Sequence, residues 1–124
     1  MLNSEDAVAT VAVKSVIAAA KFYEGKLGLK KVVSDEMQVL VYKSGNSRLL
    51  VYESQFAGTN KASAVTWVVD DVDGIVNELK KNGVTFERYD FPEVKHEGDV
   101  HVFGKRRTAW FTDPDGNILA LANK

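Results

Sequence analysis

Two stretches of this chain carry the same punctuation fifty-six residues apart, and that repeat limits the possible folds more than any other feature. Ser15 precedes Val16, Ala19, Ala20, Tyr23 and Leu27, while Asp71 precedes Val72, Ile75, Val76 and Leu79. Ser and Asp are helix N-cap residues, because their side-chain oxygens accept from first-turn amides. Each apolar set has the i, i+3, i+4, i+7 spacing of one buried helix face. Each stretch closes on lysine and then glycine, Lys26 with Gly28 and Lys80-Lys81 with Gly83. Cations suit a helix's last turn, and glycine suits the left-handed residue beyond it.

A run of small and β-branched residues leads into each helix, Ala7 to Val13 and Ala64 to Asp70, and reads as a strand. After the first helix come three β-rich runs, Leu29 to Val33, Met37 to Tyr42 and Arg48 to Glu53. Turn residues separate them, at Ser34-Asp35-Glu36 and Ser44-Gly45-Asn46-Ser47. Gly116-Asn117 answers Gly45-Asn46 seventy-one residues later, so the second copy holds fifteen extra residues, placed between Tyr89 and Arg107. The expectation is an α+β domain over residues 1–124 with about eight strands. Two βαβββ modules, about 6–54 and 64–124, flank a polar linker at about 55–63. A ferredoxin-like βαββαβ fold has too few strands for this pattern.

Composition removes much chemistry. Sixteen basic against seventeen acidic residues give a net charge of −1, which offers no electrostatic case for nucleic acid or an anionic membrane. No cysteine is present, so disulfides, thiolate nucleophiles and Cys metal sites are excluded, and two histidines leave zinc and triad chemistry short of parts. The polar, acidic start, Met1-Leu2-Asn3-Ser4-Glu5-Asp6, is unlike a secretory signal, and no run approaches the roughly 20 apolar residues of a membrane span. A cytoplasmic protein is expected.

Three segments resemble the vicinal oxygen chelate superfamily, the group of glyoxalase I, bleomycin and fosfomycin resistance proteins and extradiol dioxygenases. They are the helix Ala18 to Leu29 with its Phe22-Tyr23 and Leu27-Gly28-Leu29, the strand end Val69-Asp70-Asp71-Val72-Asp73, and the hairpin Phe111-Thr112-Asp113-Pro114-Asp115-Gly116-Asn117 leading to Leu121. The resemblance implies paired βαβββ modules whose mixed eight-stranded sheet curves around a cleft, completed in a homodimer. In the hairpin, Pro fixes φ, Asp side chains cap amides and Gly takes positive φ, so Asp113 and Asp115 read as turn formers.

The resemblance also implies where a divalent metal would be held: at Val8, Ala64 and Ala120, with a fourth position at Val51. Valine and alanine supply no O or N donor, whereas a catalytic ion needs about three. No metal and no cofactor is expected. The cleft face then reads as Val8, Thr10 and Ala12 on the first strand, Leu49, Val51 and Glu53 on the fourth, Ala64, Thr66 and Val68 on the fifth, and Ile118, Ala120 and Ala122 on the last. Trp67 falls on the helix side. The insertion adds walls from Tyr89, Phe91, Phe103 and one of Trp110 or Phe111, with Lys105-Arg106-Arg107 to meet an anion. His96 and His101 lie in it too, and His101, in an apolar strand, is the better candidate for touching a ligand. The expected function is binding of a small hydrophobic or aromatic molecule. The alternative is a lyase, isomerase or dioxygenase-like enzyme with an atypical or absent metal site, using His101, Glu53 or Tyr52 as acid or base.

Overall fold

The computed structural model describes residues 1–32 and 38–124. The expected turn at Ser34-Asp35-Glu36 lies outside them. Along the chain come β1 (Ala9–Val13), α1 (Val16–Ala20), a π-helical stretch (Lys21–Lys26), β2 (Lys30–Val32), β3 (Val39–Ser44), β4 (Ser47–Glu53), β5 (Ser63–Val69) and α2 (Val72–Lys81). Then follow β6 (Phe86–Glu87), β7 (Lys95–Glu97), β8 (Val100–Phe103), β9 (Arg106–Thr112) and β10 (Ile118–Asn123). One sheet has the order β1-β4-β3-β2; the other runs β5-β10-β9-β8-β7, with β6 also paired to β9. β1 joins β4 in parallel as β5 joins β10, and β2 pairs with β3 as β6 pairs with β9, so one connectivity is used twice.

The described residues therefore form ten strands in two sheets rather than eight in one. The surplus is the β7-β8 hairpin, which falls in the extra segment between Tyr89 and Arg107 and prolongs the second sheet along the free half of β9. Both caps form: Ser15 Oγ accepts from Ala18 N at 3.3 Å and Asp71 Oδ1 from Gly74 N at 3.0 Å. The helix expected over Val16 to Leu27 is α-helical only to Ala20 and then widens, with Leu27 N bonding Phe22 O at 3.0 Å. Gly25, a weak helix former, sits in that wide turn. The π stretch buries adjacent Phe22 and Tyr23 together.

The core lies between sheets and helices. Val11, Val13, Leu49, Val51 and Tyr42 of the first sheet meet Ala19, Phe22 and Tyr23, and Phe111, Leu119 and Leu121 of the second meet Val72, Val76 and Leu79. The helix ends touch across the repeat, Asn82 Nδ2 donating to Lys26 O at 3.0 Å. The linker packs tightly too: Gly58 has φ +73°, and a Cβ there would strike the Asp115 carbonyl. β1 lies beside β5, so the helix-free faces of the two sheets adjoin. Among the described residues no helix is long and apolar enough to cross a membrane.

Candidate functional site

Strand register decides which side chains share the helix-free face, because bridge partners point the same way. Thr10 pairs with Leu50 and Ala12 with Tyr52, while Val11 pairs with Val51 and Val13 with Glu53. The fourth-strand expectation is thus off by one residue. Val51 is fully buried in the core against the first helix, not on the cleft face. Leu49 is buried beside it, and Glu53 Oε2 accepts from Val16 N at 3.0 Å, closing the start of α1. Leu50 and Tyr52 take the cleft side. Both parities of β4 carry apolar residues, so alternation alone could not choose between them.

On the second sheet Ala120 pairs with Thr66 and Trp110, and Ala122 with Val68 and Thr108. These six share the helix-free face. Val8, just ahead of β1, is exposed, and Ala64 is half-buried. Phe111 turns inward and stacks on Trp67, which resolves the choice between Trp110 and Phe111. The small floor is not open space, since Ala120 is 3% and Ala122 5% exposed.

The room lies to one side. A cavity of about 360 Å³ is lined by Lys61, Ala62, Ser63, Tyr89, Phe91, Trp110 and Ile118. Its aromatic wall is built by mutual edge and tilted contacts: Tyr89 to Trp110 at 5.4 Å and 75°, Phe91 to Trp110 at 5.9 Å and 52°, Phe91 to Phe103 at 5.9 Å and 51°. His101 stands behind this wall, fully buried, its ring edge-on to Trp110 at 4.8 Å. Tyr89 N donates to His101 Nε2 at 2.8 Å, and His96 Nε2 lies 3.0 Å from Tyr89 O. The two histidines hold the backbone from which the wall hangs. Burial, with His96 alongside, pushes His101 below the ordinary imidazole value, which keeps Nε2 an acceptor.

Arg107 does not join the site. It pairs with Val102 on the opposite face, where its guanidinium grips Asp73 of α2 at 2.9 Å and Glu97 at 3.0 Å. Its hydrogen bonds to these two carboxylates raise its pKa further. Arg106, paired with Phe103, is the cation on the helix-free side. Three consecutive cations gave no hint of this split, which register alone decides.

The residues do not fit the family's metal. Val8, Ala64 and Ala120 have no donor atom on their side chains, Val51 faces the core, and no group of three or more His, Asp or Glu is gathered among the described residues. Among the described residues the buried side-chain nitrogen without a hydrogen-bond partner, His101 Nδ1, sits among Tyr89, Phe91 and Trp110 and not among carboxylates.

Solved structures share the fold across almost the whole chain. A bleomycin resistance determinant encoded on the transposon Tn5 superposes with a TM-score of 0.73 at 18% identity, covering 98% of both chains. A fosfomycin resistance protein from Listeria monocytogenes gives 0.72 at 15% identity, covering 98% of this chain and 93% of that one. Lactoylglutathione lyase from Agrobacterium tumefaciens gives 0.70 at 18% identity, with 97% and 93% covered. No curated protein matches. A family model matches residues 7–121, and the chain belongs to the Glyoxalase/Bleomycin resistance protein/Dioxygenase superfamily.

Proposed function

We propose that this chain is a binding member of its superfamily that holds a small hydrophobic or aromatic molecule against the Tyr89, Phe91 and Trp110 wall without a metal ion. The observation that carries the reading is that wall: three mutually braced rings beside a 360 Å³ cavity. Ring faces and edges held at fixed angles suit a planar guest. Ser63 Oγ accepts from Trp110 Nε1 at 3.1 Å, fixing the indole, and Lys61 offers one cation to an acidic substituent. The reading carries a cytoplasmic homodimer with it. Val68, 58% exposed, and Tyr52, 37% exposed, leave apolar surface on the helix-free face for a second copy to cover.

Against the enzymatic alternative stand the positions of two of its three proposed groups, Tyr52 alone being exposed on the helix-free face. His101 is sealed behind the wall and Glu53 is engaged at the start of α1.

The test uses 8-anilinonaphthalene-1-sulfonate, a flat aromatic with one anionic group. In EDTA its fluorescence should rise saturably with one dye per chain. Trp110→Ala should weaken binding by about tenfold or more, the loss of one large buried contact. Phe91 is 44% exposed, so Phe91→Ala keeps the fold while removing part of the wall. Unchanged affinity in both variants would overturn the site. Sedimentation of the same sample should show two chains, and a monomer at tens of micromolar (an affinity of about −6 kcal/mol or weaker) would remove the dimer.

A further inference from the structure

A second cavity, about 200 Å³, opens on the helix side of the sheets, away from the aromatic wall. Leu27, Leu29 and Ser44 line it from the first half of the chain, and Trp67, Ile75 and Leu121 from the second. Among the described residues no charged side chain is in the lining. Trp67 is fixed at its edge, because Nε1 donates to Ser44 Oγ at 2.9 Å, and the ring is stacked on Phe111 with centroids 6.2 Å apart. Both partners of the indole are thus in place before any guest arrives.

A void lined this way forfeits dispersion contacts on one side of every wall atom. Closed apolar cavities of about 150 Å³ stay dry and take up benzene. This one is about a third larger and open on one side, too small for a partner's helix or strand, and has no charged side chain among its described lining residues to retain an ion. We propose that it is a second small-molecule site, accepting one compact, uncharged, monocyclic aromatic molecule at the seam between the two halves of the chain. The site is independent of the aromatic wall, and each contains one of the protein's two tryptophans.

That division supplies the test. Fluorobenzene is titrated into ¹⁵N-labelled protein, and the two indole N–H signals, assigned with Trp110→Phe, are read separately. The Trp67 signal should shift saturably with one equivalent bound. Ile75→Phe, which fills the cavity from α2, should weaken that binding about tenfold or more, and Leu29→Phe serves if Ile75→Phe does not fold. The proposal is overturned if Trp67 stays unmoved, drifts without saturating or responds equally in the filled variant. A Trp67 shift that follows protein concentration without fluorobenzene also overturns it, because a second copy would then be covering the cavity. A response at Trp110 alone overturns this site and leaves the wall intact.

Discussion

Val51→Glu is expected to lower stability by about 4–6 kcal/mol at pH 7, because a carboxyl buried without a partner must neutralise there and the packing of the valine is lost with it. Val51 is fully buried, pairs in register with Val11 and belongs to the cluster under the first helix. The neighbouring change, Tyr52→Glu, places the same charge on the helix-free face at a position 37% exposed in the single chain, and should cost under about 1 kcal/mol of the chain's own stability, any further loss falling on the proposed dimer. Urea unfolding at pH 7 measures both. Since small domains hold only about 5–15 kcal/mol in all, the first variant will sit near the edge of folding. A reversed order of the two would put Val51 in the cleft and return a ligand position to the site.

The second large effect concerns the join between two motifs. Asp113, itself buried, accepts from Tyr23 Oη at 2.7 Å, from Asn117 Nδ2 at 2.8 Å, and from Asp115 N and Asn117 N at 3.0 and 2.9 Å. Asn117 Nδ2 also donates to Ala12 O at 2.8 Å, and Asp115 Oδ2 accepts from Lys14 N at 2.9 Å. The second sheet's hairpin is thereby bonded to β1 and the first helix. Burial, and the charge of Asp113 next to it, hold the Tyr23 phenol far above its ordinary pKa, so it remains a donor throughout the accessible range. Asp113→Ala would strand buried donors on Tyr23 and Asn117, at about 1–3 kcal/mol each. A loss of about 4 kcal/mol in thermal or urea unfolding is expected. Tyr23→Phe removes one donor only and should lose about 1–2 kcal/mol. Equal losses from the two would show that Asp113 is not the hub.

These two predictions fall on either side of what the sequence discloses. The repeat of caps, helix faces and closing glycines is local chemistry, and the structure has both helices and both capped starts. The turn role of Asp113 was legible for the same reason, since its nearest partners are a few residues away, whereas the Asp115 carboxylate caps Lys14 N on the far side of the chain. The bond from Asp113 to Tyr23 spans ninety residues, and nothing in either motif names the other. Face assignment failed where both parities were apolar, at Leu49 to Tyr52, and where a cation run crossed a strand, at Arg106 and Arg107. It held at Trp67, which stacks on Phe111, because strand alternation counted from Ala64 put Trp67 on the opposite face to Thr66 and Val68. The aromatic wall was half visible. Tyr89, Phe91 and Trp110 stand out in composition, but their convergence depends on the β7-β8 hairpin and on two histidines holding one backbone segment.

The proposal of a metal-free site rests on the side chains of Val8, Ala64 and Ala120, where the family resemblance implies metal ligands, together with the inward turn of Val51. Calorimetric titration of Ni²⁺, Zn²⁺, Mn²⁺ and Fe²⁺ into EDTA-stripped protein tests that proposal most directly. No stoichiometric heat is expected at micromolar concentrations of protein and ion, where a Kd of about 1 μM corresponds to a binding free energy of about −8 kcal/mol. One tight ion per chain, displaced by mutation on the helix-free face, would contradict it.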